Sequence, residues 1–474
     1  MYMCNMYILK GAVEMSNMTR STLSVSMKRA REQRESAHLN TLFEGGGRYL
    51  SEEDVREHMQ QALRSNADDA LSILLSELQR RDKVDALSKL LIDHADALID
   101  VAVEAEASEC LLMLLNAIYS VDYKRRDAGT PPIVTKEGLV MKAMGVRQDP
   151  GQAFEDGGKR RVVRVLLLHF LRMQPYEKLW KVVKNGGVKA GGHTVQWPSV
   201  PKDFPPEMCA AQGVKAGGFD LSDGAEVVPV QWVNEVDDSA PDHFVYVRRC
   251  IAADVHPDWL EKQAKKCDFD SNTKGAVATE GKRAPNCEAC KHRKFPGKPD
   301  GTTGQCNWSC RCPLTCVGRE LERGSGLRLQ VFKTRAKGWC LRTLSPIAKG
   351  QFIMEYCGER VSNACQRSRK QRIEDMEVYC MDLLGKGEAF IDAFHVRNTA
   401  AFAAFACCKL YANMEKQPWL SSHWDKQLSH VAFVATRDIQ PGEELEYMRR
   451  DGETPGKSSM MNCRCGRPDC QKLA

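Results

Sequence analysis

Four cysteines fall within eleven residues, at Cys306, Cys310, Cys312 and Cys316, and that spacing constrains the chain more than any other feature. Pro313 and polar residues lie between them, too tight for a hydrophobic core and too cramped for comfortable disulfide pairing. Such short gaps let a loop wrap a tetrahedral zinc ion, with Zn–S bonds of ~2.3 Å. An all-thiolate shell has no open position, so zinc held this way is structural. Upstream lie Cys267 and the pair Cys287 and Cys290, with Cys250 further away. Cys463, Cys465 and Cys470 form a second cluster near the C-terminus. Three thiols leave a tetrahedral ion one ligand short, and Cys407 or Cys408 is the natural fourth.

The remaining composition is that of an ordinary globular chain. With 474 residues it accommodates two to four folded units, and 43% hydrophobic with 27% charged residues excludes a fibrous or wholly disordered protein. The longest apolar runs, near Val165 to Leu168 and Leu111 to Leu115, fall far short of the ~18 residues of a membrane span. The first dozen residues lack the basic leader, apolar stretch and cleavage site of a secretory signal. Without that signal, close-set cysteines read as metal ligands rather than disulfides. A net charge of +6 is compatible with an acidic partner such as chromatin but does not specify one.

Residues 1–50 are sparse in apolar periodicity and are expected to be disordered. Their basic run, Lys28, Arg29, Arg31 and Arg34, reads as a solvated segment or a nuclear-import patch. A helical domain is expected over 51–188. Ser51 precedes Glu52, Glu53 and Asp54, an N-cap with acids where the helix dipole favours them. Leucines then recur at three- and four-residue spacing, at Leu71, Leu74, Leu75 and Leu78, at Leu87, Leu90 and Leu91, and at Leu111, Leu114 and Leu115. A further helix is expected from about Arg160 to Met173, and a shorter one ending at Asn185, Gly186 and Gly187. Residues 189–218, with Pro198, Pro201, Pro205 and Pro206, read as an irregular linker. Alternation at Val227, Val228, Val230 and Trp232 marks a return to strands, and 326–447 reads as mainly β with a helical insertion around 361–375.

Ordered segments from 219 to 474 resemble the SET-domain histone-lysine methyltransferases, in particular the histone H3 lysine-9 group with pre-SET and post-SET zinc modules. Leu221 to Glu226, Val228 to Val230 and Val233 to Asp237 resemble the start of the pre-SET module. The Cys306 to Cys316 cluster, with Gly318 and Arg319, resembles its end. Gly338-Trp339-Cys340 is similar to the cofactor-binding Gly-Trp-Gly segment. Glu355-Tyr356-Cys357-Gly358-Glu359, Tyr379 to Leu383, Phe390 to Ala393 and Gly442 to Leu445 resemble successive family strands. The resemblance implies an α+β multidomain chain: the helical domain, a zinc-braced pre-SET module at 219–325, a β-rich SET domain at 326–448 and a post-SET zinc tail at 449–474. It also implies S-adenosylmethionine as methyl donor, bound beside Lys337, Gly338, Trp339, Ala404 and Phe405, and a lysine channel lined by Tyr379.

The chain departs from the family pattern where the chemistry is done. The family's Gly-Asn-x-x-Arg-Phe-x-Asn-His-x-Cys aligns with residues 397–407, register anchored by Cys407, so the Asn and His become Ala404 and Phe405 and the Arg becomes Ala401. Each hydrogen bond lost to a polar ligand costs about 0.5–3 kcal/mol. The end motif reads Glu444-Leu445-Glu446-Tyr447-Met448-Arg449, which puts Arg449 at the catalytic tyrosine. A guanidinium ~4 Å from a sulfonium repels it by roughly 4 kcal/mol at an effective dielectric of about 20. A two-residue slip would make Tyr447 the working tyrosine. The family's pre-SET module uses nine cysteines for three zinc ions. Here Cys267, Cys287, Cys290, Cys306, Cys310, Cys312 and Cys316 make seven, with Phe269 at an expected cysteine, which suits two ions sharing one sulfur, or three only if Cys250 and His292 are recruited. With the C-terminal site, about three zinc ions per chain are expected. The resulting expectation is a nuclear chromatin protein with impaired catalysis, binding a histone H3 tail or other chromatin protein, with neither membrane nor sequence-specific nucleic-acid binding. The alternative is an active histone-lysine N-methyltransferase using Tyr447 in heterochromatin and gene silencing.

Overall fold

The computed structural model of the chain describes residues 51–80, 84–125, 130–146, 157–172, 188–198, 220–241, 243–252, 303–305, 320–324, 326–370, 379–383, 389–407, 409–420, 430–448, 467 and 470. The expectations for 1–50, for a helix ending at Asn185, for Phe269 and for most of the cysteine clusters lie outside the described residues.

Among the described residues six helices come first, α1 (Glu52–Ser65), α2 (Asp68–Arg80), α3 (Val84–Glu104), α4 (Ser108–Arg125), α5 (Lys136–Val146) and α6 (Gly157–Arg172). Ser51 caps α1 as its sequence suggests: Asp54 N donates to Ser51 Oγ at 3.1 Å and Ser51 N to Asp54 Oδ2 at 3.0 Å. Asn66 ends the helix in the left-handed region at φ 49°. Leu71, Leu74, Leu75, Leu78, Leu87, Leu90, Leu91, Leu111, Leu114 and Leu115 are all buried, in α2 and α3 because the spacing gathers them on one face, and in α4 because the helix is buried all round from Cys110 to Ile118. Among the described residues, no helix is long and apolar enough to cross a membrane.

The start of the expected linker is ordered. β1 (Val188–Ala190) and β2 (His193–Val195) form an antiparallel hairpin with Val188 opposite Val195. Gly191 and Gly192 make the turn at φ 55° and 79°, a conformation open to glycine. Pro198 then has a structural task. Its carbonyl accepts from Arg164 Nε at 2.8 Å and from the same guanidinium's second nitrogen at 2.6 Å.

The β-rich part comprises β3 (Gln231–Val233), β4 (Val245–Tyr246), β5 (Ile251–Ala252), β6 (Thr303–Gly304), the short helix α7 (Glu320–Arg323), β7 (Leu329–Thr334), β8 (Gly338–Thr343), β9 (Phe352–Glu355), β10 (Glu359–Ser362), helix α8 (Asn363–Lys370), β11 (Cys380–Asp382), β12 (Ala389–Asp392), β13 (Val396–Arg397), a 3-10 turn (Thr399–Phe402), β14 (Ala404–Ala406), β15 (Met414–Leu420), β16 (His430–Ala435) and β17 (Glu446–Met448). They assemble as small sheets rather than one large one. Three strands run in the order β3-β7-β8, four as β11-β12-β10-β5, and five as β14-β17-β15-β16-β9 with β6 beside β15. β13 pairs with β4. Helix α8 lies inside the insertion expected around 361–375.

Helical and β parts share a core. Val245, Val247, Ile251, Cys357 and Val396 pack into the same apolar cluster as the helix leucines. Arg160 and Arg164, fully buried on α6, meet the buried carboxylate of Asp223 at 3.3 and 3.5 Å. The second core lies within the strands, around Val331, Leu341, Ile353, Phe433 and Tyr447.

Candidate active site

Two distant segments that carry residues of the expected site become neighbours. β14 and β17 pair in parallel, with Ala404 opposite Glu446, Phe405 opposite Tyr447 and Ala406 opposite Met448. Asn413, just before β15, anchors β17 from its other side: its Nδ2 donates to Glu444 O at 2.7 Å and its Oδ1 accepts from Glu446 N at 2.9 Å. The Phe405 and Tyr447 rings meet edge-on, centroids 5.1 Å apart, and Phe433 lies 4.7 Å from Tyr447 on its other side. Tyr447 is buried as a result.

Lys337 and Gly338 close the β7–β8 turn, Gly338 at φ 78°. Lys337 Nζ binds the Glu444 carboxylate at 2.5 Å and that of Glu446 at 3.5 Å. Burial alone would ease its proton off, but the two carboxylates prevail and raise its pKa above the usual lysine value. Arg467 reaches the other oxygen of Glu446 at 2.5 Å and stacks 3.9 Å over the Tyr411 ring. Trp339 stands edge-on to Trp232 at 5.9 Å, with the Lys333 ammonium 5.5 Å from its ring. Lys337 is therefore tied to two carboxylates from the β17 segment, an arrangement that no sequence spacing discloses.

Tyr379 sits beside the same core. Its carbonyl accepts from the Tyr356 hydroxyl at 2.9 Å and its ring packs against Phe394 at 5.5 Å. Over that ring, 4.4 Å from its centroid, lies the buried guanidinium of Arg397, which also faces Phe244 at 5.2 Å and Phe402 at 5.8 Å and donates to Phe394 O. Asn398 staples the neighbouring segments. Its side chain donates to Glu355 O at 2.7 Å and accepts from Cys357 N and Ala400 N, both at 3.2 Å. Sequence reasoning assigned neither residue a role, although Arg397 stands where the family has glycine. Gly358, in the preceding segment, has no substitute. A Cβ there would lie 2.5 Å from Asp392 O.

Of the expected zinc ligands, buried Cys407 and half-buried Cys470 are described, while Cys267, Cys287, Cys290, Cys306, Cys310, Cys312, Cys316, Cys463 and Cys465 lie outside the described residues, as do Cys408 and Arg449. A different metal-ligand group does come together among the described residues. The ligand atoms of Cys250, Glu355 and Cys357 all lie within 4.8 Å of one another.

Residues 338–448 match the SET domain family. Human histone-lysine N-methyltransferase EHMT1 is 29% identical over 53% of this chain and 19% of its own length. The Arabidopsis thaliana H3 lysine-9 specific histone-lysine N-methyltransferase SUVH5 is 26% identical over 53% of this chain and 31% of its own. The chain thus spans less than a third of the length of these relatives. A solved structure of KRYPTONITE in complex with mCHH DNA, an H3(1-15) peptide and SAH is 25% identical over 54% of this chain and 53% of that one, at a TM-score of 0.39. The chain carries a SET domain and is a homologue of the SET-domain histone-lysine methyltransferases of the histone H3 lysine-9 group.

Proposed function

We propose that this is a nuclear chromatin protein that retains the SET scaffold, binds a histone H3 tail or another chromatin protein, and transfers methyl groups poorly or not at all. One observation carries the reading: the phenyl group of Phe405 packs on Tyr447 on the β14 strand, where the family pattern has a hydrogen-bonding histidine. Ala404 and Phe405 offer a donor molecule no side-chain hydrogen bond, and Lys337 is engaged by Glu444 and Glu446. These side chains do not fit S-adenosylmethionine in the family manner. The buried Tyr447, wedged between Phe405 and Phe433, weighs against its use as a replacement catalytic tyrosine. In this reading about three zinc ions per chain are structural, held by the cysteine clusters of the pre-SET and post-SET segments with Cys407.

Calorimetry with S-adenosylmethionine, together with transfer of labelled methyl to histone H3, tests the proposal. Absence of saturable micromolar binding and of turnover is the expected result. Micromolar binding with turnover would overturn it in favour of an active histone-lysine N-methyltransferase.

A further inference from the structure

A cluster of soft and hard donors is built by three separate segments from residues other than the close-set cysteines of the two expected zinc clusters. β5 runs parallel to β10, and Ile251 N donates to Gly358 O at 2.9 Å, which sets Cys250 beside the turn holding Cys357. Glu355 ends β9, two residues before Cys357. β16 pairs antiparallel with β9 and brings in His430, whose Nδ1 lies 2.6 Å from Glu355 Oε1.

One donor pair already has the spacing of a coordination shell, and the third donor lies close enough to join it. Zinc bound at ~2.3 Å by sulfur and ~2.0–2.2 Å by oxygen separates tetrahedral donors by roughly 3.5–3.8 Å. Cys250 Sγ lies 3.8 Å from Glu355 Oε1, and the three ligand atoms are mutually within 4.8 Å. Two thiolates select a soft or borderline ion such as Zn²⁺ over magnesium or calcium. The His430 contact, on the same Oε1 that faces Cys250, holds the carboxylate in place, as bonds to ligating carboxylates commonly do. Two thiolates and a carboxylate would leave a bound divalent ion with one negative charge in excess. The guanidiniums of Arg249 and Arg360 act on Glu355 with the compensating sign.

We propose that Cys250, Cys357 and Glu355 form a further zinc site at the edge of the SET domain, with His430 positioning the carboxylate and the fourth position open to water. Its place joins β5 to the β9–β10 turn, so the ion would tie the segment before the SET domain to the domain's first strands.

The test compares metal content between the full-length wild type and its variants, because the other cysteine clusters are expected to bring zinc of their own. Cys250→Ser and Glu355→Gln should each lose one ion per chain by elemental analysis, with the remainder unchanged. Wild type reconstituted with cadmium should give, by cadmium NMR, one signal with mixed sulfur and oxygen ligation besides the all-thiolate signals. An unchanged metal count in folded Cys250→Ser, a purely all-thiolate cadmium spectrum, or a Cys250–Cys357 disulfide in unreduced wild type would overturn the proposal. The cadmium spectrum decides the matter on the wild type should both variants fail to fold.

Discussion

Phe405 and Tyr447 are register partners in adjacent parallel strands, and their rings meet edge-on at 5.1 Å. An edge-to-face pair of this kind contributes about 0.5–1.5 kcal/mol beyond its area burial. In the proposed reading, the position that would otherwise serve a ligand is thus turned inward to the core. Replacing Ala404→Asn and Phe405→His together should tighten S-adenosylmethionine binding roughly ten- to hundredfold, the worth of two hydrogen bonds. The same double variant should unfold at a lower denaturant concentration, by about 1 kcal/mol, because the ring pair is lost. Calorimetry and urea unfolding of one preparation read both effects. A variant that binds no better than wild type would mean that side chains at 404 and 405 do not limit affinity.

Asp223 sits between Arg160 and Arg164 where helical and β parts meet, and all three side chains are fully buried. Removing one member of such a group leaves buried charge without its partner, at about 3–5 kcal/mol. Asp223→Asn should lower stability by that order in denaturant unfolding. Asp237→Asn is the useful contrast. Its carboxylate also binds a cation, Lys333 at 2.6 Å, but at the surface, where solvent screens the pair. The unfolding midpoint should barely move there, and equal losses at the two positions would refute the argument from burial.

These contacts differ in how far the sequence disclosed them. The leucines of α2 to α4 and the Ser51 cap were legible because helical periodicity and capping are local. The β14–β17 pairing was not local, and only the family resemblance brought residues 404–405 and 447 into one frame. The hairpin at 188–195 was hidden by the prolines that follow it, although two adjacent glycines mark its turn. The meeting of Cys250 with Cys357 depends on β5 and β10, which share two register pairs and carry no periodic signal of their own. Arg397 was unreadable for another reason. A lone arginine in an apolar stretch does not reveal which rings will enclose it.

Glu109 gives the fold a defined acid limit. Burial opposes its ionisation, but the Arg161 guanidinium and hydrogen bonds from Asn66 and Ser108 more than offset that and hold its carboxyl at about 2, down from 4.5. A depressed carboxylate contributes stability that is present above 4.5 and is lost as pH falls towards about 2. The displacement corresponds to about 3 kcal/mol. Urea midpoints measured down through this range should fall steadily in the wild type. Glu109→Gln should be less stable at neutral pH and show a shallower slope through the same window. Parallel pH profiles would remove Glu109 as the cause.

Arg397 offers the last prediction, because three aromatic rings and one carbonyl hold its guanidinium in place of solvent. Tyr379 lies at 4.4 Å, Phe244 at 5.2 Å and Phe402 at 5.8 Å from it, and Phe394 O accepts its hydrogen bond. A desolvated cation over aromatic faces is worth about 2 kcal/mol, and the alkyl stem adds packing of its own. Arg397→Met keeps most of the stem and removes the charge, so it isolates the first contribution and should cost about 2 kcal/mol. Arg397→Ala removes both and should cost about 3–4 kcal/mol, since a cavity opens beside Tyr379. Guanidinium chloride unfolding of the two variants separates these effects. If Met is tolerated without loss while Ala is not, the stem alone stabilises this corner and the charge over the Tyr379 ring contributes nothing.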